Sequence, residues 1–178
     1  QTGSLWVSGV GIDLNGYQNQ YAVDLLGLPS TPSMSQGEGV LVSILDTGVD
    51  GTHPAMAGFV APYGINLVNT LSPPDDSSNG IDDDGDSDID ELAGHGTFIA
   101  GLVRLVAPMA RILPVTVLND DGVGSAGIIA QGVVYAVDQG SHVMVLALGT
   151  QYRSMALADA IAYATSKGVI VVAPVGNG

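Results

Sequence analysis

Two residues in this sequence have the type and setting for proton transfer. Asp46 closes an apolar run, Val40-Leu41-Val42-Ser43-Ile44-Leu45-Asp46, and is followed by Thr47-Gly48. His95 stands between glycines in Gly94-His95-Gly96-Thr97, at the head of a stretch with helical spacing that ends before Pro108. A carboxylate at a strand end can orient an imidazole, and the imidazole can take a proton from a nucleophile and pass it to a leaving group. Glycines on both sides of a histidine let backbone and substrate approach closely, which an ordinary cap does not need. The helix N-terminus disfavours an imidazolium. A nearby carboxylate offsets that and holds one tautomer, and Asp46 is the candidate. Asp-Thr-Gly is also a good turn sequence. It resembles, too, the active-site turn of aspartic proteases, but those need two such turns in a mostly β fold.

The flanking segments must position this pair. Val40 to Leu45 reads as a continuous apolar strand, and residues 60–93, dense in Pro, Asp, Ser and Gly, as loop. From there the pattern alternates. Thr97 to Val106, Ser125 to Asp138 and Ser154 to Ser166 have helical spacing, with Gly140 and Gly168 as stops after the last two. Ile112 to Leu118, Val143 to Leu148 and Val169 to Ala173 read as strands. Continuous apolar strands alternating with helices predict an α/β fold, a parallel sheet with helices on both faces. Sites in such sheets lie at the carboxyl ends of the strands. Asp46, Gly149 and Asn177 fall at such ends. Residues 1–39 form a poorly periodic lead-in with one short helical patch, Tyr21 to Leu26, and 40–178 form the α/β domain.

Composition narrows the function classes. Four basic residues face eighteen acidic ones, for a formal charge of −14. Such a surface repels nucleic acid and anionic membranes, so neither is an expected partner. No apolar run reaches the ~18 residues of a membrane span. There is no cysteine, which excludes disulfides and thiolate metal sites. The chain starts at Gln1 rather than Met, as expected of a processed or truncated product.

Half of the acids, nine of eighteen, lie between Asp75 and Glu91. Six Asp within nine residues repel one another unless something neutralises them, and no Lys or Arg precedes Arg104. The spacing around Gly85 partly fits a calcium loop, with Asp82, Asp84, Asp86, Asp88 and Glu91 as candidate ligands. Gly80 at the first position makes the match incomplete. Calcium is therefore the expected cofactor, and a solvated acidic loop is the alternative.

Taken together, these stretches resemble the subtilisin-type serine proteases from about Gln36 to Gly178. Gly39 to Asp50 followed by His53-Pro54 is similar to that family's aspartate motif. Gly94-His95-Gly96-Thr97 with Ala100-Gly101 resembles its histidine motif. Val115 to Leu118 followed by Gly122-Val123-Gly124 resembles the peptide-pairing strand and edge. Ala147-Leu148-Gly149-Thr150 resembles the wall of the main specificity pocket, and Val172 to Asn177 resembles the stretch with the oxyanion asparagine.

The resemblance implies a three-layer fold and peptide-bond hydrolysis. Asp46 would orient the imidazole, His95 would act as general base and then general acid, and Asn177 would donate to the oxyanion. Gly122, Val123, Gly124, Ala147, Leu148 and Gly149 would hold an extended polypeptide substrate. It also implies an extracytoplasmic location.

Several residues depart from the pattern. Phe98 replaces a second histidine; Ala147 and Thr150 replace a Ser and a Gly; Pro174 and Val175 replace small residues. The Gly-Thr-Ser-x-Ala segment does not occur, and Ser125, Ser141, Ser154 and Ser166 each have a cap or turn explanation. This chain alone is therefore expected to be inactive. A continuation beyond Gly178 would supply the serine and cover a strand edge that another copy of the chain could also cover. A non-catalytic peptide- or calcium-binding relative is the alternative.

Overall fold

The computed structural model describes residues 21–28, 35–150 and 152–175. Five parallel strands form one sheet: β1 (Leu41–Asp46), β2 (Ile65–Asn66), β3 (Arg111–Thr116), β4 (Val143–Val145) and β5 (Ile170–Val172), in the spatial order β2-β3-β1-β4-β5. Among the described residues four α-helices accompany them: α1 (Tyr21–Leu25), α2 (His95–Val106), α3 (Ala126–Asp138) and α4 (Met155–Ser166). The sheet is the parallel α/β sheet expected, with β1 at its centre.

Alternation along the strands divides the core. Leu45, Leu113, Val115, Val117 and Met144 pack on the face covered by α3 and α4. Val42, Ile44 and Ile112 pack on the other face with Ala100, Ile99 and Val103 of α2. Side chains on a strand alternate between faces. Asp46 therefore falls on the α2 face, next after Ile44, and Thr116 falls there too, two residues past Pro114.

The helices start and stop where local chemistry dictates. Ser125 caps α3 by accepting from Ile128 N–H, and Ser154 caps α4 by accepting from Leu157 N–H. Gly140 and Gly168 follow these helices with φ of 79° and 83°, a backbone region costly for any side chain. Strands β4 and β5 are shorter than the apolar runs that announced them. After Val145 the chain leaves the ladder to form the wall of a groove.

Strand β2 was not anticipated. It has two residues, too few to show a period, inside a segment rich in loop formers. Its shortness also accommodates Pro114 in β3. On that side of the strand Ile112 N–H donates to Phe59 O, but Pro114 has no N–H, and pairing with β2 begins only at Val115. At the other edge, Ile170 and Val172 of β5 are exposed.

Candidate active site

The carboxylate of Asp46 is wholly buried at the end of β1. Its Oδ1 accepts from Nδ1 of His95 at 2.8 Å and from Thr47 N–H at 2.8 Å. The His95 side chain retains 32% of its exposure. One ring nitrogen is thus held from behind while Nε2 remains for proton transfer. The hydrogen bond that His95 donates to Asp46 raises the His95 pKa above the ordinary imidazole value; burial opposes this, and the charges of Asp46 and Asp76 add to it. A raised folded-state value means that the pair's stabilisation is full below the ordinary imidazole pKa. It is lost as pH rises through the folded-state one.

The approach of helix to strand depends on glycine. A Cβ on Gly96 would lie 2.1 Å from the carbonyl oxygen of Gly48 and 3.1 Å from Asp46 Cβ. Gly48 itself, at φ 130°, would place a Cβ 2.0 Å from the carbonyl oxygen of Asp75. Only bare backbone lets the His turn and the Asp turn sit this close.

One further residue, Asp76, ties the two turns together. Its Oδ1 accepts from the Thr47 hydroxyl at 2.7 Å and from Gly94 N–H at 3.0 Å. Its Oδ2 accepts from Thr97 N–H at 2.8 Å and the Thr97 hydroxyl at 2.6 Å. Gly94 is the N-cap of α2 and has no side chain, so Asp76 caps the helix from a distant loop. The Thr47 hydroxyl has one proton, which goes to Asp76; its oxygen accepts from Gly96 N–H at 3.1 Å. Sequence reasoning missed Asp76 because it counted that residue among the acids of the loop. The available signal was the pair of hydroxyls, Thr47 and Thr97, each one or two residues from a catalytic candidate.

The predicted peptide-binding segments come together beside this pair. Gly122, Gly124, Ala147, Leu148 and Gly149 line one groove of about 270 Å³, with Leu92 as a further wall. Val123 is not in its lining and is 47% exposed; its N–H donates to Asn119 Oδ1. Asn177 lies outside the described residues. His53, expected to be structural, accepts from Ala55 N–H at its Nδ1. His142 is exposed, and its Nδ1 accepts from Leu41 N–H.

In the acidic loop, carboxylate oxygens of Asp82, Asp84 and Asp86 converge within 4.8 Å, but Asp88 and Glu91 do not join them. Gly85 has the expected sharp-turn conformation, φ 83°. Ser87 at φ 84° and Asp90 at φ 56° then turn the chain away from the first three acids. Asp90 instead forms a second group with Asp120 and Asp121, likewise within 4.8 Å. Asp121, nearly buried, accepts from the N–H groups of Asp83 and Asp90 and so anchors the loop beside the groove. Of the five ligands expected from spacing, Asp82, Asp84 and Asp86 converge, and the second acidic group lies where the backbone bends again.

Comparison with known proteins places this geometry. A family model described as the subtilase family matches residues 37–178. The chain belongs to the subtilase family. Thermitase from Thermoactinomyces vulgaris is 34% identical over 89% of this subtilase chain and 54% of its own length. Subtilisin BL from Lederbergia lenta is 37% identical over 79% of the chain and 49% of its own length. The crystal structure of a lanthipeptide protease superimposes with a TM-score of 0.73 at 26% identity, covering 95% of this chain and 48% of that one. This subtilase chain spans about half the length of the curated relatives it matches.

Proposed function

We propose that this chain supplies the acid, the base and the substrate groove of a serine endopeptidase. The observation that carries the reading is the 2.8 Å contact between His95 Nδ1 and the buried Asp46 Oδ1, beside the groove lined by Gly122, Gly124 and Ala147 to Gly149. His95 takes the proton of a serine hydroxyl, and the serine oxygen bonds to the scissile carbonyl carbon. The imidazolium, held by Asp46, then returns the proton to the leaving amine. Asn177 stabilises the oxyanion. The serine belongs to a segment other than residues 1–178, and a polypeptide is the substrate. An extracytoplasmic location is part of this reading; among the described residues no helix is long and apolar enough to cross a membrane.

The alternative reading is a non-catalytic peptide- or calcium-binding relative with the same fold. Fluorophosphonate labelling of the complete gene product separates the two. The protease reading expects covalent labelling that is lost in His95→Ala. Peptide binding without any labelling would establish the second reading instead.

We further propose that the acidic loop holds calcium, with Asp82, Asp84 and Asp86 as the first ligand trio. Hard oxygen donors suit that ion. Desolvation raises the Asp84 pKa above the ordinary carboxylate value; the Asp86 N–H opposes this, and the charges of Asp86, Asp121 and Asp82 add to it, a burden that a cation relieves. The Asp90–Asp120–Asp121 trio is the alternative seat. At a hundredfold excess over Kd, calcium should stabilise the chain by about 2.7 kcal/mol. For a domain of this size that is a rise of about 5–10 °C in Tm. Thermal unfolding with calcium and with EDTA measures it, and identical curves would sink the proposal.

A further inference from the structure

Two buried polar atoms at the centre of the site have no hydrogen-bond partner among the described residues: Oδ2 of Asp46 and Oγ1 of Thr116. They are neighbours. The parallel register of β1 and β3 sets Asp46 directly opposite Thr116. Both side chains lie on the α2 face, since Leu45 and Val115, one residue before each, lie on the other. Asp46 is fully buried and Thr116 is 3% exposed. One atom is an acceptor on a carboxylate and the other a hydroxyl that can donate, and each is costly to leave unmade in a buried setting.

We propose that Thr116 is a positioning residue, its hydroxyl donating to Oδ2 of Asp46 and fixing the carboxylate plane that holds His95. Adjacent strands run about 4.8 Å apart, a span closed by one bridging water or by rotation about the Thr116 Cα–Cβ bond. Thr116 also lines a cleft of about 510 Å³ with Thr47, Asn66, Asp76 and Asn119. Oδ1 of Asp46 is already engaged by His95 and the Thr47 N–H. Without a donor on Oδ2 the carboxylate is fixed on one side only and can tilt about that oxygen. The hydroxyl proton also offsets part of the carboxylate charge that faces the imidazole.

The inference rests on Asp46 and His95 forming the proton-transfer pair. Its test needs no turnover, so a failed hydrolysis or labelling experiment leaves it standing. The titratable groups facing His95 are Asp46 on β1 and Asp76 in the loop before α2, and Asp76 has four donors of its own. Titration of the His95 ring protons by NMR is compared for the wild type, Thr116→Val and Thr116→Ser. Valine keeps the shape and removes the donor. The expected result is an upward shift of the His95 midpoint by about 0.5 pH unit in Thr116→Val, with Thr116→Ser at the wild-type value. Should the valine variant not fold, Thr116→Ala carries the same expectation. A threonine that merely fills space would change Tm and leave the titration where it was. An unshifted midpoint in the valine or alanine variant, or an equal shift in the serine variant, overturns the proposal.

Discussion

Under the proposed mechanism, Asp46→Asn should lower kcat of the complete gene product by about 10,000-fold, the scale of effect when a triad aspartate is replaced by its amide. The substitution is nearly isosteric, so the fold and the groove should persist and KM should change little. What is lost is charge. The buried carboxylate holds Nδ1 at 2.8 Å and is the first cause of the raised His95 pKa. An amide cannot stabilise the imidazolium that forms as the serine is deprotonated. It can also donate to Nδ1, which leaves the proton on Nε2 where the base is needed. The pH profile should move as well. Neutral His95 is the active base, so the rate rises as His95 loses its proton. In the wild type that rise lies above the ordinary imidazole pKa, and in Asp46→Asn it should move to lower pH. Steady-state kinetics on a peptide substrate across pH test both parts. A loss of less than tenfold would remove Asp46 from the proposed mechanism.

Asp76→Ala should produce the largest loss of stability among the site residues, about 3–5 kcal/mol, because it strips a charged acceptor from four donors at once. Those donors are Gly94 N–H, Thr97 N–H and the hydroxyls of Thr97 and Thr47. For a domain of this length the fall in Tm is about 6–20 °C. Activity should fall as well, by about 100-fold, since a shift of order 1 Å at the start of α2 misplaces the His95 ring. Asp76→Asn keeps one acceptor oxygen, without the charge, and should recover part of both. Thermal unfolding of the three proteins decides the matter. A Tm within 2 °C of the wild type in Asp76→Ala would show that the helix end is held by something else.

How these residues could be found differs from one to the next. Asp46 and His95 were legible because each is marked by its immediate neighbours. An apolar strand runs into Asp-Thr-Gly, and glycines flank a histidine at a helix start. The groove segments were legible through their likeness to a known pattern, and five of the six predicted residues meet there. Asp76 was not legible. It lies 18 to 21 residues from the donors it serves on α2 and 29 from Thr47, in a loop whose other acids drew attention elsewhere. The acidic loop was half legible: spacing located Asp82, Asp84 and Asp86 together, but not the two left-handed residues that carry Asp90 to Asp120 and Asp121.

The sequence by itself determined the order of the helices and of four of the five strands, the parallel sheet and the two residues fit for proton transfer. These follow from side-chain periodicity and turn chemistry, which act over a few residues. The tertiary structure decided how the pair is held. It set Asp76 across both turns, Gly96 against Gly48, and Thr116 opposite Asp46. Such contacts join residues far apart in the chain, and strand register and loop closure, not local propensity, fix which of them meet.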